Sequence, residues 1–181
     1  SGSFMKKIVL FLAIFISFVK SSEAQWEWCN PYPQGNNLQG VSFIDENNGT
    51  AIGWYGTIIK TTDGGETWEN QTFNSASFLS RIKVIDFNNQ IIIGEGGLIL
   101  KTTNGGLDWN NQISNTTSPL SGVSFVDLNN GMIVGYAGLI LRTTDGGTNW
   151  NTQESGSTNA LNGICFTQSN IGTAVGNNGT I

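Results

Sequence analysis

Asp63, Asn104 and Asp145 stand 41 residues apart, each two residues after a threonine and five before a tryptophan. A carboxylate set among glycines is a candidate calcium ligand. One such side chain per copy falls short of the roughly 6–8 oxygens that calcium takes, so no metal is expected. The recurring sets are Thr61, Asp63, Gly65 and Trp68; Thr102, Asn104, Gly106 and Trp109; and Thr143, Asp145, Gly147 and Trp150. These types suit a structural turn. Glycine permits tight backbone, Asp or Asn accepts backbone N–H groups, and Trp supplies an apolar wedge.

Binding chemistry is readable from comparison of the copies. The segments Gly53-Trp54-Tyr55-Gly56, Gly94-Glu95-Gly96-Gly97, Gly135-Tyr136-Ala137-Gly138 and Gly176-Asn177-Asn178-Gly179 keep their outer glycines and change between them. Constant scaffold around variable inner positions is the pattern of a binding face on repeats. Trp54, Tyr55 and Tyr136 offer rings to stack on a sugar or clasp a peptide; Glu95 and Asn177 complete the variable set. Arg81 and Lys83 stand where the other copies carry Gly40 and Ser42, Gly122 and Ser124, or Gly163 and Cys165. Two cations on an innermost strand form a candidate anion site.

Catalytic chemistry is not expected. The chain has no histidine, which excludes His-ligated metals and His-based triads. A glycosidase needs two carboxylates about 5–9 Å apart across the scissile bond, and Glu95 has no obvious partner acid on its loops. No cofactor is implied.

The 181 residues include 24 Gly and are 38% hydrophobic and 12% charged. That apolar fraction sustains a core. Met5, two lysines, the apolar run 8–19 and Ser22-Glu23-Ala24 have the layout of a secretory signal over residues 1–24. The run is short of the roughly 20 residues that span a bilayer, so no stable membrane insertion is expected after cleavage. The remaining chain carries five cationic against twelve acidic residues, net −7. This argues against nucleic acid as a partner. Cys29 and Cys165 are not expected to pair.

The elements that must position these groups follow from the period. Leu38, Leu79, Leu120 and Leu161 are also 41 residues apart. Each unit divides into short apolar strands punctuated by Asn and Gly, for instance 41–44, 50–53, 57–61 and 67–71. Periods near 40–45 suit four-stranded propeller blades, which bury their faces only by stacking. The expected fold is therefore all-β, a β-propeller of four-stranded antiparallel blades in 41-residue repeats, present as a partial ring of about 3.5 blades. The expected divisions are 25–37 for the outer strand of a ring-closing blade, 38–78, 79–119 and 120–160 for three blades, and 161–181 for a fourth cut short. Such an arc, with two raw edges, is expected to be poorly soluble alone.

The strings Thr61–Trp68 and Thr143–Trp150 match the Asp-box (S/T)-x-D-x-G-x-x-W, and Thr102–Trp109 matches with Asn104 in the Asp place. The longer string G-x-x-G-x-I-x-(K/R)-T-T-D-G-G-x-x-W resembles the BNR-type propellers related to the photosystem II stability and assembly factor. More distantly, the boxes resemble those of sialidases, sortilin-type receptors and xyloglucan-cleaving glycosidases. The resemblance implies an exported, non-enzymatic binding or assembly module. It would use its strand 2–3 and inter-blade loops on a protein or glycan partner in a secreted, periplasmic or cell-surface setting. Two alternatives stand beside it: the N-terminal part of a secreted glycoside hydrolase, and a surface adhesion protein with a C-terminal sorting domain.

Overall fold

The computed structural model describes residues 35–71, 73, 76–168 and 171–181. The expected leader, the outer strand expected near Trp26 and Cys29 fall outside them. Three four-stranded antiparallel sheets follow one another. The first holds β1 (Leu38–Phe43), β2 (Gly49–Gly53), β3 (Ile58–Thr61) and β4 (Glu69–Gln71). The second holds β5 (Leu79–Val84), β6 (Gln90–Gly94), β7 (Ile99–Thr102) and β8 (Asn110–Gln112). The third holds β9 (Leu120–Phe125), β10 (Gly131–Gly135), β11 (Ile140–Thr143) and β12 (Asn151–Gln153). A two-stranded sheet of β13 (Leu161–Gln168) and β14 (Ile171–Gly176) comes last. Strand order within each sheet is sequence order, the topology of a propeller blade.

The core lies between sheets. Ile52 and Ile58 of the first sheet pack with Leu79, Ile92 and Leu100 of the second. Ile91, Ile93 and Ile99 of the second pack with Leu120, Phe125, Ile133, Leu141 and Trp150 of the third. β6 is therefore buried on both faces, which explains its unbroken Ile91-Ile92-Ile93 run where a half-exposed strand would alternate. Polar ties repeat the joint. The Ser80 hydroxyl lies 2.7 Å from the Leu120 carbonyl, and Ser121 makes the equivalent bond to Leu161. Lys60 Nζ donates to the Gly105 carbonyl at 2.7 Å while sitting 5.1 Å over the Phe87 ring.

Size matching across the first two strands of each sheet sets local packing. Phe43 pairs with Gly49, Phe125 with Gly131 and Phe166 with Gly172. A Cβ on Gly131 would lie 2.4 Å from the Phe125 ring. The second sheet pairs Val84 with Gln90 instead. The smaller residue leaves room for the larger, and buried Gln90 accepts from Thr50 Oγ1 of the first sheet at 3.1 Å.

Element ends depart from the expected ranges for visible reasons. β1 starts at Leu38, where the register shifts between Leu38 and Gly40. β4 starts at Glu69 because Thr67 is held in the preceding turn by Asp63. Cys165 is free and exposed.

Candidate functional site

The turns divide into two faces. On one, the strand 1–2 turns and the Thr-Asp-Gly-Gly boxes touch: Gly64, Gly105 and Gly146 donate their N–H groups to the carbonyls of Asn47, Asn88 and Asn129 at 2.9–3.0 Å. On the other, the strand 2–3 loops meet the segments that enter each sheet. Trp54, Glu95, Tyr136 and Asn177 donate their N–H groups to Asn37, Phe78, Pro119 and Ala160 at 2.9–3.1 Å. The backbone of each variable residue is thus pinned, which leaves its side chain free to differ.

On this loop face Trp54 meets the Phe78 ring edge-on at 5.8 Å and Tyr55 at 6.4 Å. Tyr55 is 64% exposed and takes left-handed backbone, φ +56°. Ala137 and Asn178 occupy the same region in their copies, where the second copy has Gly96. A bulky side chain there is strained. Tyr136 is exposed beside a groove lined by Gln153, Glu154, Ser155, Ser157 and Thr158. Phe78 and Glu154 were not singled out from the sequence. The signal was available, since Asn37, Phe78, Pro119 and Ala160 vary in register as the loop tips do.

The two cations separate. Arg81 is exposed two residues into β5 and its guanidinium donates to the Ser80 carbonyl at 2.8 Å. Lys83 lies toward the opposite end of β5, in a groove shared with Ile85, Asp86, Phe125, Asp127 and Leu128. It therefore belongs with the strand 1–2 turns and not with the loop tips.

The boxes are internally bonded. Asp63 accepts from Thr67 Oγ1 (2.5 Å), Thr67 N–H (2.9 Å) and Thr61 Oγ1 (2.7 Å). Thr67 above all holds its carboxyl down to about 2. Asp145 is held at about 2 mainly by the Asn149 N–H and amide. In the second copy the polarity is exchanged. Asn104 Oδ1 accepts from the Asp108 N–H at 3.0 Å while its Nδ2 donates to Asp108 Oδ2 at 2.9 Å. Asp45 accepts from the Asn47 N–H and from the N–H and side chain of Asn48, and Asp127 from the side chain and N–H of Asn130, which hold both below the usual carboxylate range. At Asp86 burial pushes upward, but Asn89 and Asn88 outweigh it. Among the described residues, no group of three or more Cys, Asp or Glu could hold a metal ion. Among those residues, no helix is long and apolar enough to cross a membrane.

A family model described as photosynthesis system II assembly factor YCF48 matches residues 19–119. The photosystem II assembly lipoprotein Ycf48 of Prochlorococcus marinus (strain MIT 9312) is 36% identical, over 40% of this chain and 26% of its own length. A solved structure, YCF48 bound to D1 peptide, is 28% identical with TM-score 0.62, covering 70% of this chain and 44% of that one. The computationally designed Ika4 protein is 13% identical with TM-score 0.71, covering 87% and 96%, a likeness of fold alone. The chain thus spans less than half the length of these YCF48 relatives.

Proposed function

The chain belongs to the photosynthesis system II assembly factor YCF48 family, and on that premise we propose that it is an exported, non-enzymatic β-propeller module that holds an extended segment of a protein partner on its loop face. The observation that carries the reading is the set of pinned loops with copy-specific tips: Trp54 and Tyr55, Glu95, Tyr136, Asn177. Rigid backbone with exposed aromatic rings is inexpensive in entropy to bind against. That a solved relative holds a peptide supports a protein partner over a glycan. Arg81 is assigned the recognition of a carboxylate on that segment, as a planar donor suited to it. The leader read over residues 1–24 supports action outside the cytoplasm.

The test is fluorescence anisotropy with a labelled extended peptide rich in aromatic and acidic residues, run with a free and an amidated C-terminus. Arg81→Ala should weaken binding of the free form by about tenfold, the worth of one charge-assisted contact. A Trp54→Ala/Tyr136→Ala double variant that keeps full affinity refutes the aromatic loop face. Hydrolysis of sialosides or β-glucans that Glu95→Gln abolishes overturns the non-enzymatic reading.

A further inference from the structure

The box face carries a charge pattern that the loop face lacks. The strand 1–2 turns bring Asp45, Glu46, Asp86 and Asp127, and the boxes bring Asp63, Glu66, Asp108 and Asp145, together most of the 13 acidic residues of the chain. Two lysines that reach this face are already engaged, Lys60 with the Gly105 carbonyl and Lys101 with Thr148 Oγ1 at 3.4 Å. The carboxylates of Asp45, Asp63, Asp127 and Asp145 spend their lone pairs on their own turns. They therefore act on a partner through their summed field more than through individual ion pairs.

Apolar side chains stand in that field. Leu107 is 76% exposed, Leu128 51% and Phe87 49%. The copies show that these are not repeat requirements. Where Phe87 and Leu128 stand, the first copy has Glu46; where Leu107 stands, the others have Glu66 and Thr148. The apolar choices are confined to the adjoining second and third sheets. Phe87 lies against the turn that carries Leu107, its ring 3.6 Å from a Cβ placed on Gly105. A groove connects onward from Asp86 to Asp127 and Leu128, with Ile85, Phe125 and Lys83 along it. Apolar tips that fill no core, set among carboxylates that outnumber the nearby Lys60, Lys83 and Lys101, fit a segment of opposite charge with an apolar stripe.

We propose that the box face of the second and third sheets is a second docking surface, which takes a cationic amphipathic segment of a protein partner with its apolar side on Phe87, Leu107 and Leu128. It lies opposite the loop face, so the module can hold two segments at once, and it does not depend on what the loop face binds. A second copy of this chain is excluded as the occupant of this surface through its own box face, because like charges would meet.

The probe is an 18-residue peptide of Lys and Leu with leucines on one helical face, read by anisotropy against the full chain, with a Glu–Leu peptide of the same pattern as control. Binding of the Lys–Leu peptide should fall steeply with salt. A Leu107→Asn/Leu128→Asn variant should weaken it at least tenfold with an unchanged melting curve, because it removes apolar contact and keeps every charge. Lys83→Gln should tighten it, and Trp54→Ala/Tyr136→Ala should leave it unchanged. Equal binding by the Leu107→Asn/Leu128→Asn variant, equal binding of the Glu–Leu peptide, or loss on the loop-face substitutions would overturn the proposal.

Discussion

Replacing Asn104 by Asp restores the residue present at Asp63 and Asp145, yet it is expected to destabilise the protein. In the first and third copies the box carboxylate meets donors, Thr67 and Asn149. In the second copy Asn104 is itself the donor, and it faces the Asp108 carboxylate at 2.9 Å. Asn104→Asp therefore removes a hydrogen bond to a charged group and sets two carboxylates against each other. An exposed like-charge contact at this range costs about 1 kcal/mol. The lost bond adds about 0.5–1 kcal/mol after discounting for solvent. The sum, about 1.5–2 kcal/mol, corresponds to a fall in Tm of roughly 4–8 °C for a domain of this size. Urea and thermal denaturation at pH 7 and low salt measure it. Asn104→Asp/Asp108→Asn recreates the Asp145–Asn149 arrangement and should recover most of the loss, which gives a coupling near 1 kcal/mol in the double-mutant cycle. High salt should shrink the single-variant effect. An Asn104→Asp variant as stable as the parent at pH 7 would refute the exchanged-polarity reading.

Three further outcomes follow from the geometry. Gly131→Ala puts a Cβ 2.4 Å from the Phe125 ring and should cost about 1–3 kcal/mol by overpacking; Val84→Phe should cost as much alone and much less combined with Gln90→Gly, read by urea midpoints. Tyr55→Gly relieves left-handed backbone at φ +56° and should gain about 1 kcal/mol of stability while weakening peptide binding on the loop face, so a variant that loses stability contradicts the strain. The folded carboxyls of Asp63 and Asp145 sit at about 2 against an ordinary 3.8. A lowered folded value means that their stabilisation is full above about pH 4 and is lost as pH falls toward 2. Asp63→Asn with Asp145→Asn should flatten the urea midpoint between pH 4 and 2, and an unchanged slope in that variant would show that other groups carry it.

What was legible in the sequence were features enforced by repetition. Three Trp at one interval define the sheets, because a blade can bury Trp109 or Trp150 only against its neighbour. The loop tips were legible as variation between fixed glycines. The exchange at Asn104 and Asp108 was not, because it is a relation between two side chains whose individual types look ordinary. The same holds for Val84 and Gln90, whose compensation appears only once the register sets them opposite. Lys83 was paired with Arg81 as one anion site because alternation places both on the same side of β5. Two residues along a strand of about 3.3 Å rise carry Lys83 away from Arg81, toward the other mouth of the arc.

The joints described above have an evolutionary reading. Ile91 and Ile93 serve one neighbour and Ile92 the other, so every repeat offers one surface forward and a complementary surface back. Copying a 41-residue unit into the gene inserts both halves of a joint along with the unit, because each unit carries a forward and a backward apolar face. Growth or shrinkage of such an array by whole units asks for no new chemistry, whereas a single substitution at Ile92 has to be accommodated by two units at once.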